Sequence, residues 1–210
     1  MYFSAEAQIG VAVSDSPLGP FRDMLDRPLI TKNEYDCQSI DADLFVDEDD
    51  QPYLLWGQGK CWIVPLEEDM VTFKAEPVLL SEQFYKARSK DPSAFDAGVY
   101  NEGPHLQKIN GEYLLTWSNY DTRFPRYQIC FAVSKHIYGP YEVPEDNRVT
   151  RPSEQFFGTG HASMAEYRGG WVLCYHRLID PERTVLRETC ISSIQFVDGK
   201  PIVDVDQVIG

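Results

Sequence analysis

Two acidic residues and a histidine stand at matching positions of the sequence and have the side chains needed to cleave a glycosidic bond. Asp41, Glu102 and His161 each open an apolar stretch, and they lie 16, 16 and 15 residues before the end of the hairpin that follows. Such cleavage needs one carboxylic acid to protonate the departing oxygen and one carboxylate to activate water or to attack. The simpler interpretation of each residue is a polar group that caps the end of a strand.

The stretches that must position these residues recur with a period near 60. Residues 52–57 (PYLLWG), 112–118 (EYLLTWS) and 170–176 (GWVLCYH) each hold an apolar run with an aromatic residue near its end. The first two runs are 60 residues apart and the last two 58. Turn-forming residues precede each run, so each is predicted to be the second arm of a β-hairpin. A second motif, Ala-Val-Ser followed by Gly-Pro-aromatic, occurs at 9–21 and 129–141, two periods apart.

A period of this length, filled with short strands and without a helical pattern, is typical of four-stranded sheets repeated around an axis. The sequence therefore predicts an all-β fold: one partial β-propeller domain over 1–210, with about three and a half blades. The predicted blade limits are 1–36, 37–97, 98–156 and 157–210. The first strand of every blade lines the axis, so Asp41, Glu102 and His161 are expected to converge at one end of the channel. A β-sandwich with similar hairpins is the alternative.

The beginning of the chain is predicted to lie inside a blade. Residues 2–4 (YFS) match the end of a second strand, so the opening strand of the first blade is expected to be missing and the chain is interpreted as a fragment. A missing strand leaves a sheet edge exposed at residues 1–13, and exposed edges pair with other chains. We therefore expect self-association through this edge.

Charge and composition exclude several classes of partner. The formal net charge of −14 repels phosphate backbones and anionic lipids, so neither nucleic acid nor a membrane is expected as a partner. The five cysteines show no metal-site spacing and stand in apolar contexts typical of buried, reduced thiols. The first residues do not have the pattern of a signal peptide. These features favour a cytoplasmic protein, although truncation would hide an N-terminal signal.

The combined motifs resemble glycoside hydrolase family 43. The resemblance covers essentially the whole chain and is carried by IDADLFVDEDDQPYLLWG (40–57), EGPHLQKINGEYLLTWS (102–118), AVSKHIYGPY (132–141), GTGHAS (158–163) and YHR (175–177). It implies a five-bladed propeller that acts on arabinose- and xylose-containing glycans and requires no cofactor.

The resemblance also implies roles for single residues. Glu102 matches the general acid, and Asp41 matches the aspartate that modulates the pKa of the acid. His161 matches the axial histidine that in many members faces a calcium or water site, which makes a structural Ca²⁺ in the channel an option. Arg187 matches an arginine that holds the sugar. The general base of the family is an aspartate whose position falls about a dozen residues before Met1, so the base is expected to be absent from this chain.

Two more residues are predicted to contact substrate. Trp56 lies beside the strand of Asp41 and is a candidate apolar wall for a sugar ring, while a core position is its other interpretation. His105 follows the Glu-Gly-Pro motif and is a candidate lining residue of the cleft. A histidine hydrogen-bonded within the core fits the same position.

The sequence thus predicts a hydrolase of O-glycosidic bonds in oligo- or polysaccharides, acting by inversion. Because loss of a general base costs about 10²- to 10⁴-fold in rate, negligible hydrolysis is expected from this chain alone. A non-catalytic carbohydrate-binding propeller and a protein-interaction scaffold are the alternatives.

Overall fold

A computed structural model describes residues 1–83 and 99–203 of the chain. Within these residues the fold consists of four antiparallel sheets and one 3-10 helix, Ser81–Gln83. The strands of the first two sheets are β1 (Tyr2–Ala5), β2 (Gln8–Val13) and β3 (Arg22–Asp23), then β4 (Asp43–Val46), β5 (Pro52–Trp56), β6 (Trp62–Pro65) and β7 (Val78–Leu79). Those of the third and fourth are β8 (Glu102–Ile109), β9 (Glu112–Asn119) and β10 (Gln128–Ser134), then β11 (Phe157–Tyr167), β12 (Gly170–Leu178), β13 (Arg187–Val197) and β14 (Lys200–Val203).

Every sheet is an up-and-down meander in which each strand pairs with the next along the chain. The three predicted hairpins are confirmed, since the repeated apolar runs form β5, β9 and β12. Two-residue turns at Asn110-Gly111 and Arg168-Gly169 have positive φ at both residues, which matches the twist of the flanking strands. The period of about 60 is therefore one sheet, as expected for propeller blades.

The sheets are stacked face to face, so their middle strands are apolar on both sides. Leu54 belongs to the cluster between the first and second sheets, while its neighbour Leu55 belongs to the cluster between the second and third. Leu115 faces that same second cluster, and Leu114 faces the cluster between the third and fourth sheets. Adjacent side chains of a strand point to opposite faces, which explains how one Leu-Leu pair serves two cores.

The first strands of successive sheets lie side by side. β8 contacts β4 on one side and β11 on the other. This arrangement confirms the all-β partial propeller, in which β4, β8 and β11 are the inner strands. In the described part of the first sheet, no strand precedes β1 in the position that β4 occupies before β5.

The predicted blade limits stay predictions, and the limit between residues 97 and 98 lies outside the described residues. Within those residues, no helix is long and apolar enough to cross a lipid bilayer. All five cysteines are unpaired thiols, and four of them are buried.

Candidate active site

Bulges at the starts of β8 and β11 shape the candidate site. The pairing of β8 shifts register after Glu102, and the pairing of β11 shifts after Gly160. One residue near the start of each inner strand has a left-handed backbone. The angle φ is 59° at Asp41, 63° at Gly103 and 55° at His161. These turned residues re-aim the side chains at the inner strand ends.

The bulges correct the predicted phase by one residue. Glu102 pairs with Ser118, and Gly160 pairs with His176, so Gly103 rather than Glu102 is the structural equivalent of His161. The number of residues between the site and the end of the hairpin does not reveal this difference. In a bulge, two residues of one strand lie opposite a single residue of the neighbouring strand.

Asp41 lies against the backbone of the neighbouring inner strand. Its Oδ2 accepts a hydrogen bond from the Gly103 N–H at 3.2 Å, and its own N–H donates to Ser4 Oγ at 3.1 Å. Burial raises the pKa of the Asp41 carboxyl and the charge of Glu102 adds to this rise, while His161 and the Gly103 N–H oppose it. Asp41 and Glu102 therefore lie close enough to interact electrostatically.

Glu102 is 6% exposed, and both of its carboxylate oxygens accept hydrogen bonds. Tyr127 donates its hydroxyl to Oε1 at 2.7 Å, and Gln58 Nε2 donates to Oε2. Hydrogen-bond donors on both oxygens fix the plane of the carboxyl group. A group that transfers a proton to a bound ligand requires such a fixed orientation.

His161 completes the cluster from the fourth sheet. Its N–H donates to Ser118 Oγ at 2.7 Å, across from the start of β8. Its Nδ1 lies 3.3 Å from the place that a Cβ on Gly103 would occupy, so the glycine permits the close approach. The structure thus brings Asp41, Glu102 and His161 together at one end of the inner strands, called here the pore mouth.

Arg187 is exposed at the first residue of β13, the strand that pairs with β12. Its positive charge acts, after burial, to lower the pKa of His176 to about 4. Arg187 therefore lies within electrostatic reach of the inner strand end. Its predicted contact with a sugar stays a prediction, as do the roles of the three pore-mouth residues.

The prediction that Trp56 forms a wall for a sugar ring is wrong. Its side chain is fully buried in the cluster between the first and second sheets. It packs edge-to-face on Tyr35 and stacks on Phe73, with ring centroids 5.2 and 6.1 Å apart. The core interpretation that the sequence also allowed applies, because this face of β5 points between two sheets.

The prediction that His105 binds substrate is also wrong. His105 is 7% exposed and both ring nitrogens are engaged. Nε2 accepts from the Met164 N–H at 2.9 Å, so Nδ1 carries the proton that it donates to Asp43 Oδ1 at 2.9 Å. His105 thereby links the three inner strands and has no ring nitrogen left for a ligand.

Gln58 and Tyr127, the two residues that hold Glu102, were not predicted from the sequence. Gln58 lies two residues after the end of β5, the second strand of its sheet, so the hairpin pattern already placed it near the pore mouth. Tyr127 precedes β10 and arrives from a loop, and no periodic signal marks it.

A calcium site at His161 stays a prediction. Within residues 1–83 and 99–203, no group of three or more His, Cys, Asp or Glu side chains is arranged to hold a metal ion. The pore-mouth residues described here therefore do not form such a ligand set, and no chemical step is assigned to a metal.

Comparison with known protein families gives one match across nearly the whole chain. The model of "Glycosyl hydrolases family 43" matches residues 1–201. Among characterised relatives, a xylosidase/arabinosidase of Bacteroides ovatus is 28% identical over 239 residues, which cover 96% of this chain and 68% of the relative. A β-D-galactofuranosidase of Aspergillus niger is 26% identical over 213 residues, and the match covers 98% of this chain and 58% of that protein.

Solved structures agree with the architecture. A thermostable family-43 glycoside hydrolase superposes with a TM-score of 0.78 at 25% identity, covering 94% of this chain and 66% of that chain. An endo-1,4-β-xylanase from Bacteroides thetaiotaomicron gives a TM-score of 0.77 at 26% identity, covering 100% and 72%. The chain thus spans between about half and three quarters of the length of these relatives.

Proposed function

Because the chain belongs to glycosyl hydrolase family 43, we propose that its pore mouth is a glycosidase site for terminal arabinofuranosyl or xylosyl units. The observation that carries the proposal is the pair of acidic residues Asp41 and Glu102 on adjacent inner strands, with Glu102 held by two hydrogen-bond donors. The sugars are taken from relatives named xylosidase/arabinosidase and arabinoxylan arabinofuranohydrolase.

Glu102 acts as the general acid in this proposal. Its carboxyl donates a proton to the glycosidic oxygen as the bond to the anomeric carbon breaks. Asp41 orients this step through its contact with Gly103 and through its charge beside Glu102. Arg187, exposed and near the inner strand end, holds the sugar.

In this proposal the reaction proceeds with inversion, and the first sheet, as described within residues 1–83, offers no general base at the pore mouth. The first sheet supplies Ser4 at the pore mouth, and a hydroxyl with no paired base does not deprotonate water at neutral pH. An external anion should therefore replace the activated water.

Azide rescue tests both parts of the proposal. Azide forms a bond to the anomeric carbon from the face opposite the leaving group, while the leaving oxygen takes the proton of Glu102. We expect 4-nitrophenyl α-L-arabinofuranoside or β-D-xyloside to give an inverted glycosyl azide, with release accelerated at least about tenfold by azide. Nuclear magnetic resonance (NMR) of the product identifies its configuration.

Leaving-group dependence identifies the acid. Glu102→Gln should abolish the azide reaction of an alkyl or phenyl glycoside and spare that of the 2,4-dinitrophenyl glycoside, whose leaving group needs no proton. His136→Ala, a substitution in an exposed turn, is the matched control and should change neither reaction.

Each other outcome has a definite meaning. Hydrolysis without azide that depends on Glu102 would show that a base is present, and the base-free part of the proposal would be wrong. Sugar binding by calorimetry without any azide product would indicate a carbohydrate-binding propeller. No binding and no product would leave the scaffold alternative and overturn the glycosidase proposal.

We also propose that the chain self-associates through β1. This four-residue strand is the edge of its sheet, and edge strands offer unpaired backbone groups to other chains. Met1 and Ala12 form a hydrogen-bonded pair, so the N–H of the next residue, Tyr2, faces the open edge. Sedimentation velocity should show oligomers that dissociate when Tyr2→Pro removes this backbone donor and persist in Tyr2→Ala, which keeps it. A monodisperse monomer would contradict this proposal.

A further inference from the structure

Tyr127 is the buried donor on the candidate acid, and its position depends on the fourth sheet. Its side chain is fully buried, and its hydroxyl donates to Glu102 Oε1 at 2.7 Å. Ser118 is a second hydrogen-bonding neighbour of that hydroxyl. Tyr127 lies just before β10 and is not part of that strand. The contacts that hold its ring come from other elements.

Gly160 provides the first of these contacts. A Cβ on this residue would lie 1.9 Å from Cε1 and 2.3 Å from Cδ1 of Tyr127. The edge of the tyrosine ring thus occupies the space that any other side chain at position 160 would fill. The absence of a side chain lets the ring lie directly on the backbone of β11.

His176 provides the second contact. It pairs with Gly160 across β11 and β12, and its ring stacks on Tyr127 with centroids 5.6 Å apart and an interplanar angle of 15°. Its Nδ1 is buried and has no hydrogen-bond partner among the described residues. Burial, with the charges of Arg187 and His161, lowers the pKa of His176 to about 4, so the stacked ring is neutral at pH 7.

An imidazole buried without a partner at one nitrogen contributes through its ring face rather than through that polar atom. Offset stacking of two aromatic rings stabilises a fixed relative orientation. Gly160 and His176 therefore form a single surface, called here the tyrosine seat, that sets the height and the plane of the Tyr127 ring.

We propose that Gly160 and His176 are positioning residues that hold the Tyr127 hydroxyl on Glu102. The proposal deepens the assignment of Glu102 as the general acid and rests on it for its catalytic meaning. Neither residue contacts the reacting atoms. Both act through Tyr127, which keeps the carboxyl group of Glu102 in the orientation for proton donation.

A spectroscopic experiment tests the seat without any need for turnover. The chain contains 12 tyrosines, and ¹⁹F NMR of 3-fluorotyrosine-labelled protein resolves them, with Tyr127 identified by the signal lost in Tyr127→Phe. In the otherwise unchanged chain, Glu102→Gln should shift the Tyr127 signal, because the carboxylate acceptor is replaced. In the His176→Ala background the same substitution should shift it by less than half as much.

The variant His176→Phe keeps a neutral stacked ring and should restore the full response to Glu102→Gln. Gly160→Ala should displace the Tyr127 signal more than any other, and the other tyrosine signals report whether each variant is folded. If Gly160→Ala does not fold, the two His176 variants still decide. A full response in His176→Ala would overturn the proposal.

The rate of the azide-rescued reaction measures whether the tyrosine seat affects catalysis. His176→Ala should slow the reaction of the phenyl glycoside about tenfold to a hundredfold and that of the 2,4-dinitrophenyl glycoside less than about twofold. His176→Phe should restore the phenyl glycoside reaction. Equal losses on both substrates would indicate a merely structural role and overturn the proposal.

The ¹⁹F NMR response and the azide-rescued rate test the tyrosine seat and the glycosidase function separately. If the unmodified chain gives no azide product, the proposed glycosidase function fails, while the ¹⁹F signals still decide whether the seat holds Tyr127 against Glu102.

Discussion

Glu102 and His105 lie three residues apart on β8, but their side chains are held by different parts of the molecule. Glu102, at the bulged start of the strand, is held by side chains that arrive from two other segments, Gln58 and Tyr127. His105, past the bulge, is clamped between Asp43 of β4 and the Met164 N–H of β11. Both residues are almost fully buried, so burial does not distinguish them.

The two side chains differ in the hydrogen-bond partners that they have. Both nitrogens of His105 form hydrogen bonds to the neighbouring inner strands, and these bonds stabilise the packing of one sheet against the next. Glu102 lies at the strand end, where the bulge turns side chains toward the pore mouth and a second acidic residue is near. On β8, the titratable residue within the bulge is therefore the candidate for chemistry, and the titratable residue beyond the bulge fastens one sheet to the next.

The largest expected effect is at Trp56, which lies between sheets. Trp56→Ala should lower the free energy of unfolding by about 3–5 kcal/mol, because a large, fully buried side chain leaves a cavity. Urea titration measures the loss, and Tyr167→Ala, at a side chain 57% exposed, should change stability by less than about 0.5 kcal/mol. A loss as small as that at Tyr167 would mean that Trp56 is not a core residue.

The next effect is at Asp43, the partner of His105. Asp43→Ala leaves the His105 Nδ1–H and the Leu106 N–H without their acceptor, and we expect a loss of about 2–4 kcal/mol in unfolding free energy. Glu102→Gln, which keeps the shape of the side chain, should cost less than about 1.5 kcal/mol. Equal losses for the two variants would remove the distinction between the strand interior and its bulged end.

The repeat of apolar runs was enough to predict the hairpins and the partial propeller, because a strand between two cores must be apolar on both faces. Leu54 and Leu55 show this, since each serves a different cluster. The pattern also located the inner strands, and with them Asp41, Glu102 and His161.

The errors have physical causes. Trp56 was ambiguous because it is the last residue of β5, and the sequence does not say whether this strand end lies between the sheets or opens at the pore mouth. His105 was ambiguous because the partners that engage its nitrogens lie 59 and 62 residues away along the chain. Tyr127 was missed because a loop, which has no period, brings it to Glu102.

A smaller effect concerns pH and the tyrosine seat. The pKa of His176 falls from an ordinary 6.5 to about 4 in the folded chain. Between these values the unfolded chain binds a proton that the folded chain does not, so stability falls as pH drops from 6.5 to 4. His176→Phe should lack this part of the acid destabilisation.

Urea titrations of both chains at pH 7, 5.5 and 4.5 measure the effect. The difference in unfolding free energy between the variant and the original should be constant above pH 6.5 and should move in favour of the variant below it. Parallel pH profiles would show that the stacked ring already titrates normally.

The smallest effect tests whether the pore mouth is one electrostatic unit. The pKa of Asp41 is raised first by burial and then by the charge of Glu102. Glu102→Gln removes that charge and should lower the pKa of Asp41, which should remain above its ordinary value because burial persists. Carbon-detected NMR titration measures this pKa, with the Asp41 signal identified in Asp41→Asn. Glu112→Gln, at the first residue of β9, should leave the Asp41 titration unchanged, and an equal response to both substitutions would show that Asp41 senses only the net charge of the chain.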